Sequence, residues 1–187
     1  MMTTSPSDDS PSDHYGSDDS ALAPGLGGFN SADAARLTPV LTDLSESAEW
    51  AREIVGARPF PTVEALLAAA RGVLAGQDDD EVIAAVRAHP PIGARGPVSD
   101  ASAREQSAAA RADAETARAL AEGQARYAEH FGRGFLVCAT GLSAEQVLAE
   151  IDRRLALPPE QDLVETREHL ARINALRLGR LLEEGTL

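Results

Sequence analysis

Three groups of polar residues stand where the sequence could do chemistry. His89 continues the apolar stripe Val82, Ile83 and Val86 and is followed by Pro90, which stops a helix. That spacing puts an imidazole at the core-facing corner of a helix end. A group titrating near neutral pH in such a place suits proton transfer. Pro90 and Pro91 stiffen the chain beyond it, and Gly93 permits a turn. A histidine ending a helix also serves as a plain structural residue, and spacing alone favours that role.

The second group is Ser102-Ala103-Arg104-Glu105-Gln106. Ser102 and Glu105 have capping-box spacing, which by itself explains both. Glu105 also aligns with a stripe of small residues, Ala108, Ala109, Ala112, Thr116 and Ala119. A helix start with unpaired N–H groups and three polar side chains suits a polar or anionic ligand. The third is Arg177. At 100° per residue, Leu163, Leu170, Ile173 and Leu181 fall within about 40° of it, so Arg177 sits mid-way across a buried face. A buried guanidinium needs a partner. An internal ion pair, a snorkelling side chain and an anionic ligand all meet that need, and spacing does not choose between them.

Other candidates carry less. His14 lies in a polar tail, and His130 and His169 share no metal-ligand spacing with His89. No metal site is expected. Cys138 sits in an apolar run and reads as buried and inert. Gly132-Arg133-Gly134 lacks the ending of a phosphate-binding loop. Trp50 and Phe60 read as core.

These side chains must be positioned by helices. Apolar residues recur at helical spacing over 31–43, 47–57, 62–76, 79–88, 101–128, 143–156 and 160–183. Thr62, Ser102 and Ser143 stand at helix starts, and breaks fall at Arg58-Pro59-Phe60-Pro61, His89-Pro90-Pro91, Phe131-Gly132-Arg133-Gly134 and Leu157-Pro158-Pro159. Only Phe135-Leu136-Val137-Cys138-Ala139 reads as extended. The expected fold is all-α: one single-domain helical bundle of about seven helices over residues 25–187, with a longer loop at 89–100. Residues 1–24 carry five Asp, no Arg and almost nothing apolar, so a disordered acidic tail is expected, dispensable for activity.

Composition narrows the function. The net charge of the 187 residues is −13, and the 17 basic residues are all Arg. That balance disfavours nucleic acid and anionic membrane surfaces. Without lysine, no mechanism runs through a Schiff base on this chain. The one cysteine excludes an internal disulfide. No apolar run approaches ~18 residues, and no signal-peptide pattern opens the chain, so a cytoplasmic location is expected.

In order, Phe29-Asn30-Ser31, Glu49-Trp50-Ala51, Arg58-Pro59-Phe60, Ala88-His89-Pro90-Pro91-Ile92-Gly93, Ser102 to Gln106, Tyr127 to Gly132, Phe135 to Gly141, Ile151 to Leu155 and Ile173 to Leu178 form a pattern. It resembles the 2-oxo-4-hydroxy-4-carboxy-5-ureidoimidazoline (OHCU) decarboxylases, which act third in urate oxidation. The resemblance spans about residues 27–183, and its specific part is the His-Pro-x-Ile-Gly and Ser-x-x-Glu-Gln pair, with sixteen residues from His89 to Glu105. It implies an all-α, usually dimeric lyase that needs no cofactor and forms (S)-allantoin in purine catabolism. It implies His89 and Glu105 as catalytic residues. Pro90, Ser102, Gln106 and Arg177 match positions that hold the substrate, a small anionic ureidoimidazoline. Phe135, Leu136, Val137, Cys138 and Ala139 match a segment whose backbone contacts the ring. Arg133 stands where the family usually has an aromatic residue, and Pro91 where Asp or Arg is frequent.

The residues suit that chemistry on their own terms. CO2 loss beside an imidazolone ring leaves charge that the ring can delocalise, so the protein must bind an anion and protonate one face. Arg177 and the Ser102 helix start suit the anion, and His89 and Glu105 suit the proton. Two other readings compete: a helical ligand-binding module without catalysis, and a helical interaction domain whose polar residues are caps and ion pairs. The presence of both His89 and Glu105 favours the enzyme.

Overall fold

The computed structural model describes residues 25–92 and 114–184. The acidic stretch 1–24, most of the 89–100 loop, the expected helix start at 101, and Ser102, Glu105 and Gln106 lie outside the described residues. Among the described residues are eight helices and no strand: α1 (Gly25–Ser31), α2 (Ala34–Ser45), α3 (Ala48–Gly56), α4 (Val63–Gly76), α5 (Asp79–Ala88), α6 (Ala114–Phe131), α7 (Ala144–Leu155) and α8 (Pro159–Glu184). The all-α expectation agrees.

Helix starts follow local chemistry. Thr62 Oγ1 accepts from Ala65 N at 3.1 Å. Ser143 and Gln146 close a capping box on α7, and Asp78 and Glu81 close another on α5. Each such cap contributes about 0.5–2 kcal/mol. Helix ends depend on arginine. Arg58 Nη1 donates to Phe29 O and Ala32 O, closing α1. Arg167 Nη1 donates to Leu74 O and Gln77 O, closing α4, and Arg177 Nη1 donates to Leu44 O, closing α2. The last carbonyls of a helix have no intrahelical donor, and a guanidinium fork covers them well.

The sequence predicts seven helices, and α1 is the one it does not foresee. Gly27 and Gly28 each cost about 1 kcal/mol in a helix interior. Tertiary contacts offset that cost. Phe29 is buried against Phe60, with ring centroids 6.3 Å apart. Asn30 pairs with the Phe60 backbone through both amide atoms, at 2.8 and 2.9 Å.

Among the described residues two apolar clusters form the interior. The larger joins α1–α5 to α8 around Trp50, Leu66, Leu170 and Leu178, each fully buried. Trp50 Nε1 donates to Ala70 O at 2.9 Å. The smaller joins α6 to α7 around Leu120, Tyr127, Val147 and Ile151. Buried Gly123 faces Ile151 and Leu148 across this contact, where an added Cβ would lie 3.4 Å from Ile151 Cδ1. Residues 135–139 run between the clusters without strand pairing. Phe135, Val137 and Ala139 face the smaller cluster, while Leu136 joins the larger and Cys138 packs against it. That period-two alternation is what extended backbone imposes.

Candidate active site

His89 ends α5. Its N–H donates to Val86 O at 3.2 Å, and its Nδ1 lies 2.8 Å from Ala85 O. A carbonyl only accepts, so Nδ1 carries the proton and Nε2 holds the lone pair in the neutral ring. The half-buried histidine borders an open cavity of about 460 Å³ lined by the end of α5, α6 and Phe135. Val86, Ile92, Leu120 and Phe135 make its walls apolar, and His89 and Gln124 are the polar side chains among the described lining residues. A drug-sized ligand fits such a volume, and a few polar groups in an apolar wall fix its orientation.

The chain after His89 is held in place. Pro91 lines the cavity, and half-buried Pro90 joins it to the histidine. Ile92 N donates to Gln124 Oε1 at 2.9 Å, and Gln124 Nε2 donates back to Ile92 O at 2.9 Å.

The other expected site residues are distributed differently. Arg177 is only 3% exposed, as its place on the helical face predicts. It does not line the described cavity; its Nη1 reaches Leu44 O at 2.8 Å, and its charge pulls down on the Glu46 carboxyl, which burial pushes up. Of residues 135–139, only Phe135 borders the cavity. Leu136 O accepts from Arg154 Nη1 at 2.9 Å, and Cys138 N donates to His169 Nδ1 at 3.3 Å, so those two backbone groups serve the protein itself. Val137 and Cys138 border a second, polar cleft of about 570 Å³ between α7 and α8. Within it Arg153 holds the Glu150 and Glu165 carboxyls below the usual carboxylate range. Burial, then Arg154 and Arg172, push the His169 imidazole down.

Beneath residues 135–139 lies a buried polar network that the sequence reading missed. Arg154 and Asp162 are both fully buried, with Nε 2.7 Å from Oδ1. Arg154 Nη2 also donates to Tyr127 Oη and to Asp162 O, each at 2.9 Å, and to Thr166 Oγ1. Tyr127 and Arg133 both donate to Asp162 Oδ2. Arg133, in place of the family's aromatic, lies over the Phe131 ring at 5.1 Å from its centroid. The signal was present: Val147, Ile151 and Arg154 share one helical face, as do Leu120, Gln124, Tyr127 and Phe131. Among the described residues no group of three His, Cys, Asp or Glu side chains is arranged to hold a metal ion.

An all-α chain with a histidine set in the wall of an apolar cavity is the class that fold and site define. The family model described as OHCU decarboxylase matches residues 30–179, and the chain belongs to the OHCU decarboxylase family. Two solved structures share the fold. One is an OHCU decarboxylase determined in the presence of (S)-allantoin, at 23% identity and a TM-score of 0.69, with 81% of this chain and 99% of that chain covered. The other is an (S)-allantoin synthase, at 18% identity and a TM-score of 0.64, with 83% of this chain and 53% of that chain covered. Among curated proteins no sequence matches.

Proposed function

We propose that this chain decarboxylates OHCU to (S)-allantoin, as a carboxy-lyase of purine catabolism, with His89 and Glu105 as its catalytic pair. The observation that carries the reading is His89 in the wall of an apolar cavity, within a chain that matches the family over residues 30–179.

Breaking the bond to the carboxylate leaves its electron pair on the ring. The ring delocalises that charge, so the step as written needs no electron-sink cofactor. The proton must then arrive on one face, since unguided protonation gives a racemate. His89 is fixed for this by its Ala85 contact, which orients the ring and leaves Nε2 as the atom that exchanges a proton. Glu105 orients the imidazole and sets its charge. Ser102, Gln106 and Pro90 hold the ring and its carbonyls, with Phe135 against its face. The roles of Glu105, Ser102, Gln106 and Pro90 rest on the family resemblance, and that of Phe135 on its place in the cavity wall. The carboxylate leaves more readily from apolar surroundings, which strengthen each remaining polar contact. For Arg177 the contact with Leu44 supports a structural role, and only the resemblance supports a substrate contact.

The family resemblance supports a homodimer, and the absence of a signal-peptide pattern supports a cytoplasmic location. No described helix is long and apolar enough to cross a membrane. Sedimentation at micromolar concentration tests the dimer.

The deciding experiment generates OHCU in situ with urate oxidase and the following hydrolase. Circular dichroism then follows optically active product. Product forming faster with the protein than without it, and of one hand, is the expected result. Equal rates and a racemic product would refute the reading.

A further inference from the structure

Gln124 engages a peptide rather than a side chain. Its Oε1 accepts from Ile92 N and its Nε2 donates to Ile92 O, both at 2.9 Å, with a longer bond from Nε2 to Leu120 O at 3.4 Å. The amide thus copies the reciprocal pairing of two strands at a single residue. Three positions upstream stands His89. Little torsional freedom separates the two points. The prolines fix φ at 90 and 91, and a residue before proline is confined to extended ψ. His89 obeys, with ψ 133°. Pinning Ile92 to α6 therefore limits where the other end of this stiff segment can lie. At that end, the His89 N–H and Nδ1 are tied to Val86 O and Ala85 O of α5. The segment is clamped at both ends, to two different helices, along one cavity wall.

We propose that Gln124 is a positioning residue for His89: through Ile92 and the two prolines it fixes where the imidazole stands relative to bound substrate. The proposal rests on the decarboxylase reading for its kinetic consequence, but its geometric content is separate. A displacement of about 1 Å at a reacting group costs on the order of 100-fold in rate. Loss of the clamp therefore lowers kcat while leaving KM nearly unchanged.

The test uses Gln124→Glu, which has the same shape. An ionised carboxylate still accepts from Ile92 N but repels Ile92 O. A protonated carboxyl both donates and accepts, and so restores the clamp. His89 is the titratable side chain among the described residues lining this cavity, so the wild-type profile serves as the reference at each pH. Two readouts are taken: kcat and KM for stereospecific product, and the His89 imidazole resonances, identified by their loss in His89→Gln. In Gln124→Glu, kcat is expected to fall about 10- to 100-fold with little change in KM where the carboxyl is ionised. Both kcat and the His89 resonances are expected to return toward wild type as it protonates. Gln124→Met, which can do neither, is expected to keep the loss and the shifted resonances at every pH, and it carries the test if Gln124→Glu does not fold.

Wild-type kcat with unmoved His89 resonances in these variants overturns the proposal. So does a loss in Gln124→Glu that stays constant with pH while the resonances match wild type. A wild-type protein that makes no allantoin removes the functional reading, while the resonance comparison still decides whether Gln124 places the imidazole.

Discussion

Arg154 and Asp162 meet at 2.7 Å with neither side chain exposed, and every other polar contact of the network radiates from that pair. Removing Arg154 takes the ion-pair partner from Asp162 Oδ1 and the donor from Leu136 O, leaving Arg133 as the cation on Asp162. Arg154→Met is therefore expected to lower the unfolding free energy by about 3–5 kcal/mol. Urea denaturation measures it, and a loss of under about 1 kcal/mol would mean that the pair is replaceable.

His89→Ala and Glu105→Ala are each expected to abolish stereospecific allantoin formation. A positioned acid–base group contributes about 10²–10⁴-fold. The helical circular dichroism should be unchanged. Full activity in either variant would remove that residue from the mechanism.

Arg177→Met separates two roles. If Arg177 serves mainly to close α2 at Leu44 O, the variant loses about 1–3 kcal/mol of stability because a buried carbonyl loses its donor. Its KM then changes little. A tenfold rise in KM without loss of stability would instead place the guanidinium against substrate.

His169 gives a stability change below neutral pH. Its folded pKa lies below the ordinary value of 6.5, first through burial and then through Arg154 and Arg172, with Glu150 and Glu165 opposing. The neutral ring accepts the Cys138 N–H. The folded protein thus binds fewer protons than the unfolded chain, so this contribution is present above the unfolded pKa and is lost as pH falls through the folded one. Melting temperature is expected to fall between about pH 7 and 5. His169→Gln should flatten that decline, and an unchanged decline would assign it to other groups.

Tyr127 acts at the other end of the scale. Burial, and then its bond to Asp162, push the phenol up to about 12. The folded state holds this proton where the unfolded chain, near 10, gives it up. Stability from this group is present below the unfolded value and lost as pH rises through the folded one. Phenolate absorbance of a Tyr15→Phe variant, which keeps Tyr127 as its single tyrosine, should rise near pH 12. A midpoint near 10 would show the hydroxyl to be solvated.

Periodicity and punctuation made most helices legible. The stripes of α5 and α8 placed His89 at a core-facing corner and Arg177 in the core, because 3.6-residue geometry does not depend on what packs opposite. Helix α1 was not legible, since its glycines argue against helix and its support comes from Arg58 and Phe60, up to 30 residues away. Arg154 and Gln124 lie on apolar stripes just as Arg177 does, so their inward-facing positions could have been read in the same way. Their partners could not. Nothing local to Asp162 tells it from the ordinary acid that favours a helix's first turn, and Ile92 offers only its backbone.

Residues 135–139 are a partition one residue thick, with the large interior on one side and the smaller one, at its Phe135 end, opening on the cavity. A change of volume at Leu136 acts on the larger interior directly and on Phe135 through the backbone the two residues share. Reshaping the chamber for a bulkier ring would therefore require compensating changes among the leucines behind it, and tolerance at these five positions should be judged in pairs.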